Sequence, residues 1–408
     1  MASRSFARGG AAVSSEPLPL FSLLKLPLLH FGAGSFSCLP KLVSGYGRYL
    51  MIVTGSRSFE ASGRLEWLFG ELRMAGIGYH HCRVQGEPSP ELIDAAVASG
   101  RMVGVDMVIA IGGGSVIDAG KAVSAMLLQD YPVERFIEGR PGFLEHDGRK
   151  VPFFAVPTTS GTGSEATNNA VISRVGADGF KRSLRHPAFV PDVAVVDPEL
   201  ICSAPRNLTV ASGMDAFTQL LEAWVSPFAS PYTDMLAFHG MEYFNRSFIR
   251  ACSDGAEDSA VRADIAYAAF LSGVVLGNAG LGIVHGFASS VGGAFDIPHG
   301  VLCATLLAEA TRENILQLQH SGSGNSILRK YAAAGGLLNG TPDVGVAEGC
   351  GMLVEKLEEW QDALDVPLLG VYGIGVEDVD TIASVTKSKS NPVDLQPDCL
   401  KKILLARI

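Results

Sequence analysis

The sequence has 408 residues, 47% hydrophobic and 18% charged, with a formal net charge of −10. That length exceeds one ordinary core and predicts two domains, and the apolar content excludes a disordered chain. The acidic surplus, with no Lys/Arg cluster to offset it, argues against nucleic acid or an anionic membrane surface as partner.

The first fifteen residues carry Arg, Ser and Ala and no acid, a composition shared with transit peptides. The apolar stretch after them is broken by prolines and Lys25, which makes it a poor signal segment. Residues 1–27 are therefore expected to be a disordered extension leading into an edge strand, and the protein is expected in the cytoplasm. No uninterrupted apolar run reaches the roughly 18 residues that a membrane span requires. The seven cysteines are scattered, with no CxxC spacing, and are read as buried, reduced thiols.

From about residue 48 to 200, apolar β-rich runs alternate with helix-like stretches. RYLMIVTG is a buried strand, and FEASGRLEWLFGELRMAG has helical periodicity with Leu65, Leu68 and Leu72 near one face. YHHCRVQ, the helix-like PELIDAAVASGRM, the strand DMVIAIGGG and the strand VPFFAVPTTSG follow. Such alternation predicts an α/β domain, a parallel sheet covered by helices on both faces, over 28–204. Beyond about 207 the chain turns Ala/Leu-rich with 3.6-type spacing, as in NLTVASGMDAFTQLLEAWVS. This predicts an all-α second domain over 205–408, and no repeat or low-complexity tract interrupts it.

Two loops carry the chemistry of the first domain. In DMVIAIGGGSVIDAGK a strand runs through Gly112, Gly113 and Gly114 into Ser115 and a helix start. Glycines there let backbone approach a pyrophosphate, and the helix N-terminus favours its charge. Ile117 stands where the dinucleotide fingerprint wants a third glycine, and Ala122 where a Walker A loop wants Ser/Thr, so neither motif fits. A tight strand–helix turn is the competing reading. The second loop, Pro157 to Glu165, presents Thr158, Thr159 and Thr162 after another apolar strand. It lies at the same sheet edge, where open α/β sheets bind ligands.

GGGSVID and PTTSGTGSE in this order resemble the iron-dependent (group III) alcohol dehydrogenase family. PDVAVVDPEL, ASGMDAFTQLLEAWVS, NAGLGIVHGFASSVGG, IPHG and SNPVDL extend the resemblance over nearly the whole chain from about residue 28. It implies a Rossmann-like N-terminal domain and a helical C-terminal domain, a dehydroquinate synthase-like architecture with the active site between them. It also implies NAD or NADP, one divalent metal (Fe or Zn) held by an Asp and three His, and a small alcohol or aldehyde as substrate. Relatives often form dimers through their N-terminal domains, so a homodimer is expected. Asp118, Asn169 and Lys181 match cofactor-contacting positions, Lys181 through ribose hydroxyls.

The ligand pattern departs from the family. Asp215 matches the ligand aspartate, but four residues later, one helical turn on, Gln219 replaces a histidine. His285 and His299 match the other two ligands. Gln219 would add a weak, neutral oxygen donor; loss of the metal site altogether is the alternative. Ser289 replaces a histidine that many relatives place for proton relay; serine passes a proton through water but does not hold one near neutral pH.

At the end of the first Rossmann-like strand, Gly55, followed by Ser56, stands where NAD-preferring relatives carry Asp. Gly55 removes a carboxylate that would repel a 2′-phosphate, and Arg57 beside Ser56 and Ser58 would attract one. NADP(H) is favoured, with NAD(H) retained; Gly55 equally serves as a simple turn. Phe217, Trp224, Phe287 and Phe295 lie near the motifs and suggest either an apolar pocket or core. Two rivals remain: a dehydroquinate synthase-like or glycerol-phosphate dehydrogenase-like enzyme, which would want basic residues absent from the metal-site motifs, and an NAD(P)-binding relative without metal or turnover.

Overall fold

A computed structural model describes residues 19–55, 58–174, 176, 179–322 and 324–408. The chain forms strands β1 (Leu28–Phe31), β2 (Tyr49–Gly55), β3 (Gly78–Val84), β4 (Met107–Gly112), β5 (Phe153–Pro157), β6 (Asn169–Arg174), β7 (Phe180–Arg185) and β8 (Val193–Val196). Six of them make one parallel sheet in the order β1-β8-β5-β4-β2-β3. Helices α1 (Leu39–Val43) and α2 (Ser58–Ala61) are short, and α3 (Arg64–Met74), α4 (Pro90–Val103) and α5 (Gly114–Met126) cross between strands.

The strands read as continuous apolar runs because both sheet faces are covered. Leu50 and Ile52 of β2 and Ile109 of β4 pack with Leu65, Leu68 and Leu72 of α3. Met51, Val53, Val108 and Ala110, the alternate residues, pack with Ile93 of α4 and Ile117 and Val123 of α5. The local sequence punctuates these helices clearly. Helix α4 opens on Ser89, whose side chain accepts from the Leu92 N–H, has Pro90 in its first turn, and stops at Gly104 with φ 73°, as capping physics requires.

The chain runs from β2 outward to β3, then returns to β4 on the other side of β2. Strand order therefore reverses between β2 and β4, and the crevice beyond their carboxyl ends is where such sheets bind ligands. The β6–β7 antiparallel pair was not legible as strands and forms a separate ribbon over α5.

The second domain holds α6 (Arg206–Val225), α7 (Pro231–Ala251), α8 (Ser259–Ala279), α9 (Ile283–Val291), α10 (His299–Ser321), α11 (Asn325–Asn339), α12 (Val346–Ala363), α13 (Val379–Val385) and α14 (Pro397–Leu405). Helix α6 packs on α7, α8 and α10. Phe217 is core, with its ring centroid 5.0 Å from Phe244 and 5.1 Å from Trp360; Phe287 is buried in the same core. Both therefore serve packing and not a pocket. Helix α8 is long and apolar enough to cross a membrane by length and composition, and here most of its apolar residues are buried against α6 and α7.

The N-terminal expectation needs correction for residues 19–27. This stretch has no regular structure, yet the Leu24 N–H donates to Asn278 Oδ1 of α8 at 2.8 Å and Lys25 lies 3.5 Å from Asp192. It is a strap tying the two domains, not a loose tail. The domains also meet at two glycines. Gly163, in the hydroxyl-rich loop, has φ +60°, and a Cβ at Gly273 of α8 would strike its backbone. Gly273→Ala is expected to cost about 1–3 kcal/mol through overpacking and to weaken NADPH binding by displacing the loop. Urea denaturation and NADPH fluorescence titration check this; unchanged values in both would show that the contact is slack.

Candidate active site

Helix α5 starts directly after β4 because Gly112 and Gly114 remove side chains from two tight places. A Cβ at Gly112 would come within 2.6 Å of Val116 Cβ, and one at Gly114 within 2.7 Å of Thr162 Oγ1. Gly113, the N-cap, supplies no side-chain cap; the Val116 N–H donates to the Gly113 carbonyl at 3.0 Å, which leaves the Gly114 and Ser115 N–H groups for a ligand. Gly113, Gly114, Ser115, Thr158, Thr159 and Thr162 all line one cavity of about 630 Å³ that runs to Asp215 and His299. The two loops read from the sequence thus share one crevice.

Other expected cofactor residues fall less simply. Gly55 ends β2 at the switch point, whereas Ser56 and Arg57 lie outside the described residues. Asp118 is buried in α5 and accepts from the Val171 N–H at 3.0 Å, its other oxygen without a partner among the described residues. Asn169 donates to Ser183 Oγ at 3.2 Å. Lys181, expected at the ribose hydroxyls, is ion-paired with Glu87; it still borders the cleft. Lys121 is the residue the sequence did not single out here. Its ammonium is buried and donates to the carbonyls of Ser164, Thr167 and Asn169 at 2.8–2.9 Å, so it pins the second loop and β6 onto α5.

Deeper in the cleft, α6, α9 and α10 bring polar side chains together inside an otherwise apolar bundle. His285 Nε2 lies 3.2 Å and His299 Nε2 3.6 Å from Asp215 Oδ1. Cys303 Sγ lies 3.9 Å from His285 Nε2 and 4.0 Å from His299 Nε2. The ligand atoms of these four residues all fall within 4.8 Å of one another. Cys303, read as an ordinary buried thiol, is thus part of the cluster. The signal was available, because His299 and Cys303 are four apart on one helix, which places both on one face.

A second layer fixes this cluster. Glu222 accepts from the Val284 N–H and holds His285 Nδ1, both at 2.7 Å, which directs Nε2 at the other donors. Such carboxylate–imidazole pairs are the usual support of metal-bound histidine. Gln219 Oε1 accepts from Ser272 Oγ at 2.8 Å, so its carbonyl is already engaged by α8. Ser289, one turn beyond His285, faces the cleft and donates to the His285 carbonyl at 3.0 Å.

Burial is the largest influence on protonation in this cluster. Burial pushes the Cys303 thiol up to about 11. Burial likewise pushes His299 down to about 4, and its Nδ1 is buried with no partner among the described residues. Burial opposes charge on His285, but Cys303, Asp215 and Glu222 outweigh it and raise its pKa. Carboxylate, imidazole and thiol donors with supported orientation fit a divalent metal, whose binding deprotonates a coordinating thiol.

Fold and site together define a two-domain, dinucleotide-dependent dehydrogenase with a metal-type donor cluster at the end of its cofactor crevice. The profile described as iron-containing alcohol dehydrogenase matches residues 27–198, and that of the family's C-terminal domain matches residues 209–407. A long-chain-alcohol dehydrogenase of Geobacillus thermodenitrificans is 33% identical over 85% of this chain and 85% of its own. An NADPH-dependent butanol dehydrogenase of Clostridium saccharobutylicum is 31% identical over 92% of this chain and 95% of its own. The solved alcohol dehydrogenase of Oenococcus oeni superposes with a TM-score of 0.85 at 26% identity, covering 95% of this chain and all (100%) of that one. The chain belongs to the iron-containing alcohol dehydrogenase family, and it is an oxidoreductase of the NAD(P)-dependent alcohol dehydrogenase class.

Proposed function

We propose that this chain interconverts a small alcohol and its carbonyl compound with NADP(H) in preference to NAD(H), using zinc held by Asp215, His285, His299 and Cys303. The observation that carries this reading is the convergence of those four donors within 4.8 Å, two of which, Asp215 and His299, line the cavity that the two loops share. A set with thiolate and imidazole suits zinc better than a hard oxygen-seeking cation. The absence of a carboxylate at Gly55 supports NADP(H), and Arg64 lines the same cavity, 3.3 Å from Glu199. The Clostridium relative is itself NADPH-dependent by name.

When bound, the metal supplies Lewis-acid polarisation of the substrate oxygen, and the nicotinamide supplies or accepts hydride. The chain's own residues do the positioning. Glu222 holds His285 in one orientation, Gln219 ties α6 to Ser272 of α8, and the loops at Gly113 and Thr159 fix the cofactor. Ser289 relays a proton between the substrate oxygen and cleft water, without storing it.

Elemental analysis should find about one zinc per chain, and butanal reduction should be about tenfold more efficient with NADPH than with NADH, about 1.4 kcal/mol. Cobalt-loaded protein should show sulfur-to-cobalt charge-transfer absorption that Cys303→Ser abolishes, with metal affinity falling about 100-fold or more, beyond the loss for a supporting residue. A wild-type cobalt spectrum without that absorption removes Cys303 from the set. No turnover of any aldehyde after metal loading ends the alcohol dehydrogenase reading.

A further inference from the structure

Beyond the donor cluster, on the side away from the glycine-rich loop, the cleft opens into a second cavity of about 530 Å³. Its walls carry five cationic side chains, Lys181, Arg182, Arg185, Lys387 and Lys389, against one acid, Glu138. In a chain of net charge −10 this local reversal of sign is not background. Strand β7 supplies three of the cations, and the segment after α13 supplies the other two.

Two of these charges are already matched. Lys181 pairs with Glu87, and Arg185 Nε lies 3.0 Å from Glu138 Oε1. Arg182 reaches only the Glu138 carbonyl, at 3.4 Å, and Lys387 and Lys389 have no carboxylate within ion-pair distance among the described residues. Three positive charges therefore face the cavity without a counter-ion. Lys389 also sits at φ 51°, a left-handed conformation uncommon for a residue other than glycine.

The basic cavity is continuous with the reaction chamber. Arg182, Arg185, Ser289 and Lys389 also line a smaller space of about 180 Å³ that contains His285 and His299. A molecule with its oxygen at the donor cluster would project its far end past Ser289 toward Lys389 and Arg182. We propose that the substrate is an anionic alcohol or aldehyde, carrying a carboxylate or phosphate at the end remote from the reacting carbon, and that Lys389, Arg182 and Lys387 bind that anion. The proposal rests on the alcohol dehydrogenase reading and narrows it. The metal-site motifs carry no basic residues, as expected, but β7 and the segment after α13 bring them to the cleft. Charge-assisted hydrogen bonds of this kind are worth about tenfold or more in binding.

The test uses metal-loaded full-length protein with NADPH and compares kcat/KM for butanal, 4-oxobutanoate and glyceraldehyde 3-phosphate. At least one anionic aldehyde should exceed butanal about tenfold or more, by an advantage that shrinks as salt is raised; which one tells carboxylate from phosphate. Lys389→Met should lower that anion-to-butanal ratio about tenfold. Lys389→Glu should favour 4-aminobutanal over 4-oxobutanoate, a gain that a misfolded variant cannot show. Butanal turnover equal to or above both anions overturns the anion site and leaves the dehydrogenase reading standing. If no aldehyde turns over, calorimetric titration with 4-hydroxybutanoate decides: binding that Lys389→Met removes supports the anion site, and absent binding overturns it. A weakened NADPH affinity in Lys389→Met with an unchanged substrate ratio assigns the cations to the cofactor and also overturns the proposal.

Discussion

His285→Ala is expected to lower kcat/KM for aldehyde reduction by about a thousandfold, a loss of about 4 kcal/mol in transition-state stabilisation. His285 is the hub of the cluster, with Nε2 3.2 Å from Asp215 and Nδ1 2.7 Å from Glu222. Truncation removes one metal donor and leaves a buried carboxylate holding only the Val284 N–H. Metal affinity should fall by at least about 100-fold, since loss of supporting residues alone costs 10–100-fold. NADPH binding should weaken far less than metal binding, because His285 is absent from the larger cavity of the two loops and shares only the smaller one with Gly114, Ser115 and Thr162. Elemental analysis, fluorescence titration and steady-state rates read the three quantities separately. A variant with wild-type turnover would mean that the cluster is structural and that chemistry lies elsewhere. A variant that loses NADPH binding as well would mean the domains no longer close on the cofactor.

Much of this was legible because the relevant signals are local. Strands such as MVIAIG are continuous apolar runs since both faces are buried, and the glycine loop and helix caps are read from short segments. Asp215 and Gln219 were placed one turn apart by helical spacing alone. The β6–β7 ribbon escaped because its residues are short, mixed and half-exposed, and it is held by tertiary contacts: the Val171 N–H on Asp118, the Asn169 carbonyl on Lys121. Cys303 was passed over because thiols were weighed by CxxC spacing and not against His299. The basic cavity was invisible for another reason. Arg182 and Lys389 lie far apart in the chain, and nothing local to either announces that α9 and the fold bring them to one wall.

Lys121→Met is expected to destabilise the protein by about 3–5 kcal/mol near pH 7.5, the cost of removing one partner from a buried charge network. Lys121 is buried, and burial pushes its pKa down to about 8, with Asp118 and Glu165 acting against the shift. Its three N–H groups are shared among three carbonyls and Thr167 Oγ1, and methionine would leave them only the long contacts of the Thr167 hydroxyl with the Ser164 and Asn169 carbonyls. Glu165 is buried beside it, and burial pushes its carboxyl up to about 7. Its folded pKa thus exceeds the unfolded value of 4.5, so the folded state binds more protons between the two. Stability from Glu165 is accordingly present below about pH 4.5 and lost as pH rises toward 7. Lys121 has the opposite sign: its folded pKa is below the unfolded one, so its contribution recovers as pH rises from about 8 toward 10.5. Without the ammonium, Glu165 should titrate still higher. The penalty of Lys121→Met should therefore be larger at pH 7.5 than at pH 5, where Glu165 is protonated in both proteins. Thermal melts at both pH values should show a fall of about 10 °C at the higher one, at about 2–4 °C per kcal/mol. Adding Glu165→Gln should restore part of the loss at pH 7.5 and little at pH 5, because it removes the uncompensated charge but not the unmet carbonyls. Equal penalties at the two pH values, with no rescue by the second substitution, would assign the whole effect to hydrogen bonds and remove the ion network from the account of how α5 anchors the cofactor loop.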